Sequence, residues 1–131
     1  MKLKPADTAF SKCVRLASNY TCQKCGAQHD EKSKGLHTHH LVPRNVRRTR
    51  WDKLCCVTLC LSCHRWWHDY PYESGQWTEE YLGKGGLELL REKANSFVKV
   101  PKSEEPLIAK HYRSELKRMI TENDTTFESW Q

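Results

Sequence analysis

The sequence predicts a small α+β domain in which a short hairpin and the helix after it are held by a four-cysteine staple, with an N-terminal helix before and further helices behind. Three observations predict it. Two Cys-x-x-Cys pairs, Cys22/Cys25 and Cys60/Cys63, offer four thiolates in two turns, the usual donor set of a closed tetrahedral structural zinc. Two short β-prone runs, 36–42 and 55–59, precede a run at 63–70 that reads as helix and stops before Pro71. Stretches with helical apolar spacing lie on both sides of this unit.

Composition sets the bounds. A chain of 131 residues makes one domain, here with a helical tail. Hydrophobic residues make up 37% and the mean hydropathy is −0.83, which excludes a large continuous core. Small chains with thin cores commonly need a metal or disulfide staple. Residues 1–9 are polar and lack the apolar segment of a signal peptide. No apolar run is long enough to span a bilayer, so no membrane partner is expected. Four of the seven cysteines sit in the two Cys-x-x-Cys pairs, which points to thiolate–metal bonding in a reducing cytoplasm and away from a secreted disulfide framework. A net charge of +6 and a pI near 9.0 suit a polyanionic partner such as nucleic acid.

Taken in order, residues 5–19 read as an amphipathic helix with Pro5 in its first turn. Ala6, Phe10, Cys13, Val14 and Ala17 share one face, which makes Cys13 a buried hydrophobe and not a ligand. The first knuckle follows, and Gly26 relieves the backbone just after it. The run 36–42 carries His39 and His40 and is ended by Pro43. Arg44, Arg47, Arg48 and Arg50 lie in the connection to the second strand, placed to bind a phosphate backbone or to form a solvated basic loop, and Arg50 beside Trp51 also suits a structural role. Behind residue 70, 71–76 read as a turn and 77–82 as a short helix capped by Thr78. A break at Gly83, Gly85 and Gly86 follows, then a helix over 87–97. The last helix is expected over 104–121, capped by Ser103, with Leu107, Ile108, Tyr112, Leu116 and Met119/Ile120 inward; 123–131 are expected to fray. Residues 1–70 are thus expected to form the core and 71–131 a helical extension packed on it. The apolar stripes of that extension suit either plain core or a homodimer contact, and the sequence leaves both open.

The histidines form a second constellation. His64 and His68 are four apart on a helix, one turn apart on the same face. His39 and His40 are adjacent on a strand, so their side chains point to opposite faces. One of them can face the helix and complete a three-histidine site with open positions, while the other faces a substrate and activates water. An all-imidazole ligand set favours Zn, Ni, Co or Mn over Mg. Trp66 points away from the histidines toward the core, and Trp67 flanks them, packing in the core or stacking on a base.

The order Cys22-x-x-Cys25, His39-His40-x-x-Pro43, Leu59-Cys60-x-x-Cys63-His64-x-x-x-His68 resembles the HNH endonucleases, whose ββα-metal fold is a hairpin followed by one helix. The resemblance covers about residues 22–68. It implies that His40 is the general base and that His39, His64 and His68 ligate a divalent catalytic metal (Zn, Ni, Co, Mn or Mg), separate from a structural Zn²⁺ on Cys22, Cys25, Cys60 and Cys63. It also makes DNA the partner. Phe10-Ser11-Lys12, Val14-Arg15-Leu16, Thr49-Arg50-Trp51-Asp52, Leu82-Gly83 and Leu87 further resemble the phage recombination endonucleases called NinG or Rap. That looser likeness implies branched DNA as substrate and, for a phage-encoded chain, a host cytoplasm. One position departs from the pattern: Cys55 stands where the family has an Asn that ties down the loop and orients the base. A thiol is a weak donor and acceptor, and Asn45 is the candidate to take over. A competing reading is a non-catalytic zinc module that binds nucleic acid or protein, its histidine centre having decayed at Cys55.

Overall fold

The computed structural model describes residues 2–130 and is α+β, with a two-stranded sheet and five α-helices among those residues. Helix α1 (Pro5–Ala17) begins with Pro5, whose missing N–H costs nothing in a first turn, and Asp7 Oδ2 accepts the Lys4 backbone N–H at 2.7 Å. It ends two residues before the expected stop because Asn19 and Tyr20 both take left-handed backbone angles (φ 55° and 54°). The knuckle after it is a tight turn. Cys22 N–H donates to Ala27 O, Gly26 N–H donates to Cys22 O, and Gly26 sits at φ 79°, where a side chain would be strained.

Strand β1 (Leu36–His40) pairs antiparallel with β2 (Cys56–Cys60), His37 opposite Leu59 and His39 opposite Val57. The connection contains a one-turn helix, α2 (Arg47–Arg50), and a 3-10 turn at Lys53–Cys55. Helix α3 (Leu61–Asp69) follows β2 directly, with Cys60 as its N-cap residue. The expected turn at 71–76 is instead the start of α4 (Pro71–Asn95), because Pro71 at a first helical position can open a helix as well as close one. Of the three glycines expected to break the chain, only Gly83 does so (φ 72°), bending α4 where 71–82 meets 84–95; Gly85 and Gly86 are helical. Thr78 is an interior residue whose hydroxyl donates to Ser74 O at 2.7 Å, not a cap.

Helix α5 (Glu105–Glu122) buries Ile108, Ala109, Tyr112 and Met119, while Leu107 and Ile120, expected inward, are exposed. Ser103 does not cap it. The described residues after it, 123–130, do not fray, and residue 131 lies outside the described residues. Phe127 is buried against Phe10 and Tyr112, Trp130 N–H donates to Tyr112 Oη, and Glu128 N–H donates to Glu115 Oε1. The main core therefore joins the two ends of the chain. Phe10 and Tyr112 meet edge to face at 4.9 Å, and Cys13 lies buried beneath Tyr112, its Sγ 3.3 Å from the Tyr112 carbonyl. A smaller cluster of Cys22, Leu36, Val57, Leu59, Cys60 and Cys63 sits between sheet, knuckles and α3. Among the described residues no helix is long and apolar enough to cross a membrane.

The α1 face also buries an ion pair. Arg50, 4% exposed, forks onto Asp7 with Nε–Oδ1 2.9 Å and Nη2–Oδ2 2.6 Å, and Trp51 Nε1–H adds a third donor to the carboxylate. Burial by itself would raise the Asp7 carboxyl, but the hydrogen bonds from Arg50 and the Lys4 N–H outweigh it and hold the pKa below the usual range. A carboxyl held lower in the folded than in the unfolded chain contributes stability in full above about pH 4, and that contribution is lost as pH falls through the folded value. Asp7→Asn leaves the Arg50 charge buried and uncompensated, at an expected cost of about 3–5 kcal/mol by chemical denaturation. The variant also lacks this component of acid destabilisation; an unchanged stability–pH curve between pH 2 and 5 would overturn the assignment.

Candidate functional site

Two clusters of metal-ligand type converge on α3. In the first, the sulfurs of Cys22, Cys25, Cys60 and Cys63 all lie within 4.8 Å of one another. The Cys25 and Cys60 Sγ atoms are 3.7 Å apart. A tetrahedral ion with about 2.3 Å metal–sulfur bonds needs an edge of about 3.8 Å. The four cysteines could therefore hold a structural metal ion, consistent with zinc. Burial raises the Cys60 thiol, but hydrogen bonds from Ser62 and Cys63 outweigh it and bring it down to about 6. Cys22 is lowered as well, whereas burial and hydrogen bonds within the cluster raise Cys63 and, against the Ala27 N–H, Cys25; a metal requires all four as thiolates. An ion there would pin the first knuckle to the first turn of α3.

In the second, His39, His64 and His68 present ring nitrogens within 4.8 Å of one another. Strand alternation turns His39 toward α3, where its ring lies 4.8 Å from His64 and 5.5 Å from His68. One helical turn separates His64 and His68, whose rings are 5.0 Å apart. His39 is 5% exposed and its Nε2 is buried without any hydrogen-bond partner. An orphaned imidazole nitrogen is costly unless something fills it, and a lone pair aimed among two other imidazoles is a metal-binding donor set. Burial, then the neighbouring His64, His68 and His40, push the His39 pKa down to about 3, so the ring stays neutral. Burial likewise lowers His64, with His37 and His68 adding to it.

His40 faces the opposite side of β1. Its ring packs 6.3 Å from Phe10 and its Nε2–H donates to the Arg50 carbonyl at 2.9 Å. That bond assigns the proton to Nε2 and leaves the lone pair on Nδ1. Burial lowers the His40 pKa against the opposing hydrogen bond to Arg50, and Arg44 lowers it further, so the ring is neutral. His39, His40, His64 and His68 line one cleft of about 450 Å³ together with Ser11, Thr38 and Arg44.

The four loop arginines separate. Arg44 lines the cleft. Arg50 does not, because it is buried on Asp7. Arg47 pairs with Glu105 at 2.7 Å and donates to Val100 O, and Arg48 donates to Ala94 O at 2.6 Å. These three fasten the loop to α1, α4 and the start of α5, a use that the charge run in the sequence did not distinguish from phosphate binding. Cys55 keeps contact with the loop: its Sγ is 3.4 Å from the Val42 N–H and 3.7 Å from the Val42 carbonyl. Asn45 is exposed, and the acceptor for His40 is the Arg50 carbonyl instead. Trp66 is half-buried under Lys24 Nζ at 4.1 Å instead of in the core, whereas Trp67 packs between His39 and Trp77.

Two residues escaped the sequence reading. Asp7 shares the buried helical face of Ala6, Phe10 and Val14, a placement that marks a carboxylate for pairing. His37 meets His64, Nδ1 to Nδ1, at 2.8 Å; its position two residues before His39, hence on the same strand face, was the available signal. Comparison of the chain with protein-family models, with curated proteins and with solved structures gives no match.

Removing metal from the cysteine cluster, by chelation or by Cys63→Ser, is expected to cost several kcal/mol and lower the melting temperature by about 10 °C or more. Cys13→Ser keeps the metal content. Full retention of metal and Tm in Cys63→Ser would rule out the staple.

Proposed function

We propose that this chain is a metal-dependent endonuclease of the HNH type that hydrolyses DNA phosphodiester bonds. The observation that carries the reading is the juxtaposition, in one cleft, of a three-histidine cluster with a buried orphan nitrogen and a fourth histidine whose tautomer is fixed. The order hairpin, then helix, with a closed cysteine cluster at the helix start, fits the ββα-metal arrangement that the motif resemblance implies. The resemblance to recombination endonucleases extends the proposal to branched DNA as the preferred substrate.

His39, His64 and His68 would hold one divalent ion, and the ion supplies Lewis-acid stabilisation of the charge that builds on the scissile phosphate and its leaving oxygen. His40 Nδ1 takes a proton from water as the water oxygen bonds to phosphorus. The P–O3′ bond breaks, and the leaving oxygen takes a proton from solvent, giving a 5′-phosphate and a 3′-hydroxyl. The Arg50 carbonyl holds the His40 ring through Nε2–H and stabilises the positive charge that the ring gains. Arg44 lines the cleft and offers its guanidinium to a phosphate oxygen. The net charge of +6 draws the polyanion to the surface, so binding weakens as salt rises.

His40→Ala is expected to lower cleavage by about 10²–10⁴-fold while leaving metal content intact. His64→Ala is expected to lose one of two metals per chain and the activity with it. The measurement is cleavage of duplex, nicked and four-way DNA across a panel of Mg²⁺, Mn²⁺, Co²⁺, Ni²⁺ and Zn²⁺, beside metal analysis. Wild-type rates in His40→Ala would sink the assignment of the base. DNA binding without cleavage under every metal would favour the non-catalytic module.

A further inference from the structure

A three-histidine site on one strand and one helix has an orientation problem. Each imidazole offers two nitrogens, and a neutral ring presents a lone pair from only one of them. His39 solves it by burial, since its Nε2 is enclosed among the other rings. His64 stands on the first turns of α3 with one side toward the cleft, and its Nδ1 lies 2.8 Å from the Nδ1 of His37. Two nitrogens at that distance share one proton: one ring donates and the other accepts.

We propose that His37 is a positioning residue of the three-histidine site, its Nδ1 accepting the Nδ1–H of His64 so that His64 turns its Nε2 lone pair toward the metal. The inference rests on the reading that His39, His64 and His68 hold a metal. The direction of the hydrogen bond follows from that reading. If Nδ1 of His64 carries the proton, Nε2 is the ligand, and His37 carries its own proton on Nε2. A partner on the far nitrogen of a ligating histidine fixes both its tautomer and its ring orientation.

The fold suits His37 to this role and not to that of a fourth ligand. Among His39, His64 and His68, its ring contacts His64 alone, edge to face with centroids 5.1 Å apart. The mutually close set comprises the other three histidines without it. Its backbone is held in the sheet opposite Leu59, and α3 is held by Cys60 and Cys63 at its start. Donor and acceptor thus sit on β1 and α3, two elements joined through β2, which pairs with β1 and runs directly into α3 at Cys60.

The test is Co²⁺ titration of the full chain carrying zinc in its cysteine cluster, followed by visible absorption. The thiolate-to-cobalt charge-transfer band reports any entry of cobalt into the wrong site. His37→Leu removes the acceptor at similar volume, whereas His37→Gln restores one through its amide oxygen. The expected result is a weakening of Co²⁺ affinity by about 10–100-fold in His37→Leu, with an altered ligand-field spectrum. The same titration should show substantial recovery of both in His37→Gln, with melting temperatures of the zinc-loaded, cobalt-free variants close to wild type. Wild-type affinity and spectrum in His37→Leu would overturn the positioning role and leave the three-histidine site standing. Loss of one nitrogen ligand in both variants alike would make His37 a direct ligand and also overturn it. Absence of Co²⁺ binding by the wild-type chain outside the cysteine cluster would overturn the metal reading itself.

Discussion

The buried contact between Asp7 and Arg50 ties the N-terminal helix to the connection between the strands, and the placement of His40 depends on it. Two charges removed from water are costly, and this pair offsets the cost with a two-pronged Arg–carboxylate geometry, a Trp51 indole donor and the Lys4 N–H. The fork fixes the side chain of Arg50, and the Arg50 carbonyl is the acceptor that fixes the ring of His40. The Trp51 carbonyl accepts from Tyr112 Oη, which brings α5 into the same network. A carboxylate on the first turn of the chain thus acts at the cleft through one arginine.

The C-terminal helices take part in the same support. Arg47 on Glu105, Arg48 on the Ala94 carbonyl and Lys93 on Asp52 fasten the inter-strand connection from α4 and α5. Phe10 and Cys13 pack on Tyr112, so α5 lies in the main core. Residues from both sides of residue 70 share one hydrophobic cluster.

The two ligand clusters differ in what they leave open. Four thiolates complete a tetrahedral shell and have no position left for chemistry, whereas three imidazoles leave room for a further ligand. Both reach α3: Cys60 is its N-cap residue, Cys63 and His64 lie near its start, and His68 lies in its last turn. A metal on the four cysteines would hold the start of the helix and so limit how far the histidines can move relative to the sheet. That geometry suits a small domain with little core to hold a site rigid.

What the sequence by itself determined is whatever depends on short spacing. The Cys-x-x-Cys turns, the helical offset of His64 and His68, the alternation that separates His39 from His40 and the apolar face of α1 all follow from local geometry. Tertiary structure decided the pairings between distant segments. Asp7 took Arg50, Glu105 took Arg47, His37 took His64, and Phe127 folded back onto Phe10. A run of arginines looks the same in sequence whether its charges face a phosphate or a buried carboxylate, because the choice depends on which distant residue the fold brings within about 3 Å. The strand period put His37 on the same face as His39, but only the packing of α3 gave it a partner.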